Sequence, residues 1–144
     1  MWPAGTIFGL ARTDLRAYID FLDRATRAEG LPDGWVASDT YWAFAGDEMA
    51  GEVHVRHSVR GRLWRVGGHV GYSVQPKFRG QGVATAMLRF ACDRLRELDE
   101  PDALLTCWDD TLASAAVIEK CGGARMPDAV VDGRAARRYL IPLL

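Results

Sequence analysis

Apolar residues recur along the chain with two periods, near 3.6 and near 2, and their order predicts the elements. After Thr13, the residues Leu15, Tyr18, Ile19, Leu22 and Ala25 share one face at helical spacing. They predict a helix capped by Thr13 that runs to about Glu29, where Gly30 and Pro32 end it. The loop LPDGWVASD leads to an aromatic strand, Tyr41 to Ala45, and Gly46-Asp47 reads as a turn. From Gly51 to His57 the pattern alternates: Val53 and Val55 face one way, Glu52, His54 and Arg56 the other. SVRGRLWRVGG reads as a loop or hairpin extension, and His69 to Val74 as a strand stopped by Pro76. Ala84, Met87, Leu88, Ala91, Leu95 and Leu98 then form the apolar stripe of an amphipathic helix. A short strand, Ala103 to Cys107, follows Pro101, and a second short helix runs from about Thr111 to Lys120 with Gly122 as its C-terminal stop. Strands around Ala129–Val131 and Arg137–Ile141, joined by Asp132-Gly133, close the order. It predicts a mixed α/β fold with an antiparallel portion.

Composition narrows the function classes. The 144 residues suit one domain, 1–144, around one core. A formal net charge of −1 gives no support to nucleic-acid binding or to a basic membrane-surface protein. No apolar run is long enough to span a bilayer, and the start MWPAGTIFGLARTD lacks the basic and apolar regions of a signal peptide. Cys92, Cys107 and Cys121 are odd in number and form no CxxC pair, so neither a disulfide framework nor a structural zinc site is expected, and a cytoplasmic location fits.

The stretch PKFRGQGVATAMLRF carries the sharpest chemical signal. Two glycines and a cationic Arg79 precede the first turn of the amphipathic helix. Unpaired N–H groups and the helix dipole make such a turn a cradle for phosphate. The loop is not GxxxxGK[ST], which argues against a P-loop hydrolase. Thr85 stands where a dinucleotide fingerprint needs its third glycine, and no βαβ unit surrounds it, which argues against a Rossmann site.

Arg79-Gly80-Gln81-Gly82-Val83-Ala84 resembles the (Arg/Gln)-x-x-Gly-x-(Gly/Ala) motif of the GNAT superfamily of acetyl-CoA-dependent N-acetyltransferases. The preceding GGHVGYSVQP resembles that family's splayed central strand. LLTCWDDTLASAAVIEKCGG resembles its next strand and helix, usually Asn-x-x-(Ala/Ser)-x-x-x-(Tyr)-x-x-x-Gly, and ARRYLIPL resembles a final strand. The likeness covers roughly Glu52 to Gly123 and the tail. It implies a mostly antiparallel central sheet with a splayed central strand, flanked by helices. It also implies acetyl-CoA as cosubstrate, with its pyrophosphate on the loop from Arg79 to Thr85: Arg79, Gly80, Gln81, Gly82, Val83, Ala84 and Thr85. Pantetheine would run along the central strand beside Ser73 and Val74, where a backbone N–H would polarise the thioester carbonyl. Homodimers are common in such families.

The second motif departs from the pattern. Thr111 replaces the usual Asn; it can cap the helix and donate a hydroxyl toward the cofactor. Ile118 replaces the tyrosine that protonates the leaving thiolate, and Ser114, one turn earlier, is the substitute candidate. Cys121 has no evident base and reads as a packing residue. For a general base the candidates are Glu52, preferred, and His54, with His57, His69 and Tyr72 behind them. Tyr41 and Trp42 are candidate walls of the acceptor pocket. Arg56, Arg60, Arg62 and Arg65 cluster near one loop and would attract an acidic acceptor or the 3′-phosphate of coenzyme A, or simply form a solvated surface. The leading reading is acetyl transfer from acetyl-CoA to a primary amine of a small molecule or peptide. The alternatives are a noncatalytic acyl-CoA-binding module and, behind it, a nucleotide-binding protein using the same loop.

Overall fold

In the computed structural model, which describes residues 13–144, two three-stranded antiparallel sheets lean together like the arms of a V. The expectation about a leader in the first residues lies outside the described ones. The first sheet orders β1 (Ser38–Ala45), β2 (Glu48–Arg56) and β3 (Val70–Val74). The second orders β4 (Asp102–Trp108), β6 (Arg134–Pro142) and β5 (Ala124–Val131). Helix α1 (Leu15–Ala25) precedes β1, α2 (Val83–Glu97) links β3 to β4, and α3 (Leu112–Lys120) follows β4. No helix among the described residues is long and apolar enough to cross a membrane.

The alternation of β2 decides the layering. Val53 and Val55 face α2 and join Met87, Leu88, Ala91 and Leu95 in the core. Glu52 faces the other way, where Tyr18 of α1 donates to its Oε1 at 2.8 Å. The first sheet is thus covered on both faces, and six consecutive residues of β2 are buried. On the second sheet Leu105, Tyr139 and Ile141 pack with Ala115 and Ile118 of α3 into the same core.

At the closed end of the V the two sheets touch through backbone. The His69 N–H donates to Leu104 O at 2.8 Å, and the Leu104 N–H donates to His69 Nδ1 at 2.9 Å. Gly68 allows this approach: its φ is +60°, and a Cβ there would lie 2.2 Å from Leu104 O. Toward Val74 and Trp108 the strands part, leaving β3 and β4 each with one free edge.

Several boundaries differ from the sequence expectation. Asp14, not Thr13, caps α1 by accepting from the Ala17 N–H, and the helix ends at Ala25 instead of near Glu29. The Thr26 hydroxyl donates to Asp23 O, a local bond that competes with further helix, and Ala28 turns left-handed. The buried face of α1 is Tyr18, Phe21 and Ala25, while Leu15 and Ile19 are exposed. β1 starts earlier, at Ser38, because its polar residues find distant partners: Asp39 pairs with Arg94 and His57, and Thr40 with His54. β5 starts at Ala124, running through Pro127 by an irregularity between Met126 and Ala129 that Arg125 and Asp128 bridge.

Candidate active site

Around the place where the strands part, three neighbouring hollows share parts of their linings. The largest, about 690 Å³, lies between the end of β3, the glycine loop and α3. A second, about 360 Å³, fills the gap between β3 and β4 and shares Tyr72, Thr111 and Ser114 with the first. A third, about 350 Å³, shares Arg56, Val66 and Gly67 with the second and opens beside Trp35 and His54. The shared residues set the three hollows side by side, from the glycine loop past the gap to Trp35 and His54.

The first hollow is floored by the unpaired first turn of α2. Gly80 and Gly82 have φ of +73° and +84°, and Gly82 is the N-cap of α2, with no side chain satisfying the first turn. The Ala86 N–H closes on Gly82 O, so the N–H groups of Val83, Ala84 and Thr85 have no intrahelical acceptor. A Cβ on either glycine would meet nothing within 4 Å, so the space above the loop is open. Of the expected cofactor contacts, Ser73, Val74, Arg79, Gly80, Gly82, Val83, Ala84, Thr85 and Thr111 all line this hollow. Gln81 does not; its side chain turns back to donate to Lys77 O. Phe78, Ala113, Val117 and Lys120 line it as well, unmarked in the sequence. Lys120 adds a second cation from the end of α3, visible only once α3 is folded beside the loop.

Register identifies the backbone groups aimed into the gap. The Arg56 N–H donates to His69 O and the Gln75 N–H to Ala50 O. Hydrogen-bonding positions alternate along an antiparallel pair, so Gly71, Ser73 and Gln75 address β2, while His69 gives β2 only its carbonyl. Val70, Tyr72 and Val74 point their N–H and C=O groups to the free edge. Of the two expected strand positions, the Val74 backbone is open to a ligand and that of Ser73 is engaged with β2.

The acid–base candidates separate in space. Glu52 is buried and lines none of the three hollows. Tyr18 donates to its Oε1, Trp42 Nε1 donates to its Oε2 at 2.6 Å, and His54 Nε2 lies 2.8 Å from Oε1. Burial raises its pKa, but those three donors outweigh burial and hold the carboxyl below its ordinary value. Both oxygens are committed, so Glu52 sits as a tie between α1 and the sheet. His54 lines the far hollow, with Nδ1 2.7 Å from Thr40 Oγ1 and Nε2 on Glu52, and has no nitrogen to spare. His57 pairs with Asp39, and Trp42 serves Glu52. His69 is a clamp: Nδ1 accepts from Leu104, and Nε2 lies 3.2 Å from Glu100 Oε2. Burial pulls its pKa down despite Glu100.

Ser114 does stand at the junction of the first two hollows, half-buried. Beside it lies a group that the sequence ranked low. The Tyr72 hydroxyl is buried, faces Ser114 from β3 and has no close hydrogen-bond partner among the described residues. Burial raises its pKa, so it stays protonated through neutral pH. Ile118 is buried in the core, away from the hollows. Thr111 begins α3 without a capping bond from its side chain, whose hydroxyl lies 3.5 Å from Asp110 Oδ1. Burial pushes the Cys92 thiol up to about 11 and raises that of Cys107, so neither is an activated nucleophile. Cys121 Sγ lies 4.0 Å from Thr85 O at the end of α3.

Comparison with known proteins agrees with this geometry. Residues 8–124 match the family model described as an acetyltransferase (GNAT) domain. No curated protein matches the chain. Among solved structures it is similar to RimL, a ribosomal alpha-N-protein acetyltransferase in complex with coenzyme A. The TM-score is 0.68 at 17% identity, over 94% of this chain and 75% of that one. It is similar to the Salmonella typhimurium protein yncA with its cofactor acetyl-CoA, with a TM-score of 0.64 at 14% identity over 92% and 74% of the chains. It is also similar to a point variant of the spermidine N-acetyltransferase of Vibrio cholerae, with a TM-score of 0.63 at 16% identity over 87% and 73%. At these identities the likeness shows the fold.

Proposed function

From the chain's membership of the GNAT acetyltransferase family, an acyltransferase family whose cosubstrate is acetyl-CoA, we propose that it acetylates a primary amine by direct attack. The observation that carries this reading is the junction at Tyr72, Thr111 and Ser114, where an open phosphate cradle meets the gap between two free strand edges. Coenzyme A fits the first hollow: diphosphate on the N–H groups of Val83 to Thr85 near Arg79 and Lys120, pantetheine along β3. The Val74 edge can pair with the pantetheine amides as an added strand would, and an outward N–H of β3 can polarise the thioester carbonyl.

In the reaction the amine nitrogen attacks the thioester carbon. The resulting ammonium passes a proton to water, the C–S bond breaks, and the sulfur takes a proton. Tyr72 is the proton donor in this reading, because its hydroxyl is protonated, unengaged and at the junction, whereas Ile118 has no proton to give. Ser114 is positioned to relay or to orient that hydroxyl. Among the described residues no uncommitted carboxylate or imidazole lines the gap itself, so water is the base and the rate comes mainly from alignment and carbonyl polarisation.

The experiment is thiol release from acetyl-CoA over a panel of primary amines. Release that requires both protein and amine, with acetyl-amine as product, is expected. Coenzyme A binding with no amine-dependent release would favour the noncatalytic acyl-CoA-binding module.

A further inference from the structure

Resting on the acyltransfer reading above, we infer that the acceptor is an amine that also carries a carboxylate or comparable anion, held by Arg56 at the far end of the gap. Arg56 ends β2 and lines both the second and the third hollow. It sits across Gly71 of β3, where a Cβ would come within 3.9 Å of Nη2.

The protein uses only one nitrogen of this group. Nη1 donates to Gly67 O at 3.0 Å and Gly68 O at 3.1 Å. Among the described residues Nε and Nη2 have no hydrogen-bond partner, and neither is a sealed buried atom. Among the described residues no carboxylate pairs with Arg56. Glu52 is committed to Tyr18, Trp42 and His54, and Glu100 to His69. The other charged side chains of the far hollow are Asp33, which is exposed, and Arg62, 3.5 Å from Asp132. Burial alone pulls the Arg56 pKa down, in agreement with a cation that lacks a counter-charge.

A guanidinium taken out of water without a partner is costly, and such charges are ordinarily paired. Holding two loop carbonyls accounts for Nη1 and leaves the Nε–Nη2 edge, the fork geometry that receives a carboxylate bidentately. An acceptor whose amine reaches the junction at Tyr72 and Ser114 and whose body lies in the gap places its far group on this edge. A polyamine would put a second cation there instead, so acceptors of that class are disfavoured.

The test compares amino acids with their decarboxylated amines, and with spermidine, as acceptors for the wild-type protein and for Arg56→Gln and Arg56→Lys. Expected is a preference for the carboxylated member of each pair, roughly 10- to 100-fold in kcat/KM and mainly through KM. Arg56→Gln should erase that ratio and Arg56→Lys should restore it in part, with coenzyme A binding unchanged in both. Equal use of the paired amines by the wild type, or a ratio that survives Arg56→Gln, overturns the inference. Calorimetry of N-acetyl amino acids on the coenzyme A-bound protein separates the two readings. Arg56-dependent binding supports the anion site even if no amine is acetylated, and no binding, or binding unchanged in Arg56→Gln, counts against it.

Discussion

The two ends of the gap between β3 and β4 are made from the same pair of strands and differ in one respect. At the closed end the backbone and the clamp histidine are satisfied: the His69 N–H donates to Leu104 O, its Nδ1 accepts from the Leu104 N–H, its Nε2 meets Glu100, and Gly68 lies against the Leu104 carbonyl. At the open end the partners are missing. The outward backbone groups of Tyr72 and Val74 face the gap, the Tyr72 hydroxyl is unbonded, and nothing stands over Gly80 and Gly82. A buried polar group without a partner is a cost in the empty protein. Concentrated at one end of the gap, these are the groups that the proposed cofactor would engage. Rigidity at the clamp holds the strands apart at the site.

Substitutions can break this contrast from either end. The largest expected effect on stability is Gly68→Ala. The left-handed φ and the collision with Leu104 O together should cost about 3 kcal/mol or more, read as a lower urea midpoint. Gly80→Ala, with a similar φ but no neighbour, should cost about 1 kcal/mol. Equal losses would deny the clamp its role.

Gly82→Asp tests the open end. It should leave the fold nearly intact but reduce coenzyme A affinity roughly 100-fold or more, through a carboxylate placed against the diphosphate. Unchanged affinity in calorimetry would move the cofactor elsewhere. Tyr72→Phe should lower kcat on the order of 100-fold while leaving coenzyme A affinity in place. With the Tyr72 pKa raised, its ionisation should reduce activity only above pH 10, the ordinary tyrosine value. A normal kcat in the Phe variant would return proton donation to Ser114 or water.

The smallest effect concerns the clamp histidine. Burial makes the folded pKa of His69 lower than its ordinary 6.5, so below that pH the unfolded chain binds the extra proton and the folded state loses stability. The contribution is whole above pH 6.5 and falls as pH drops toward the folded pKa. The unfolding temperature of the wild type should therefore fall more between pH 7.5 and 5.5 than that of His69→Asn. Parallel curves for the two proteins would show that His69 does not titrate against folding.

Local spacing made most of the fold legible. The amphipathic stripe of α2, the alternation of β2 and the glycines before Val83 depend on neighbours two to four residues apart, and the sequence prints those spacings. They single out the loop and first turn that line the largest hollow, except Gln81, whose side chain donates to the Lys77 carbonyl. The acid–base assignment was not legible, since Glu52 and Arg56 look alike from sequence, two charged residues on one strand face. Folding brings Tyr18 and Trp42 to Glu52, 34 and 10 residues away, and consumes its carboxylate. It brings Arg56 two carbonyls and no counter-charge. Whether a side chain is committed or free depends on partners remote along the chain, and only the packed structure selects them. The sequence by itself determined the elements, the loop that can hold a phosphate and the family. Tertiary structure decided which strand positions face the gap, that Tyr72 and Ser114 face each other beside it, and which charges are paired, because burial and pairing are properties of the assembled core.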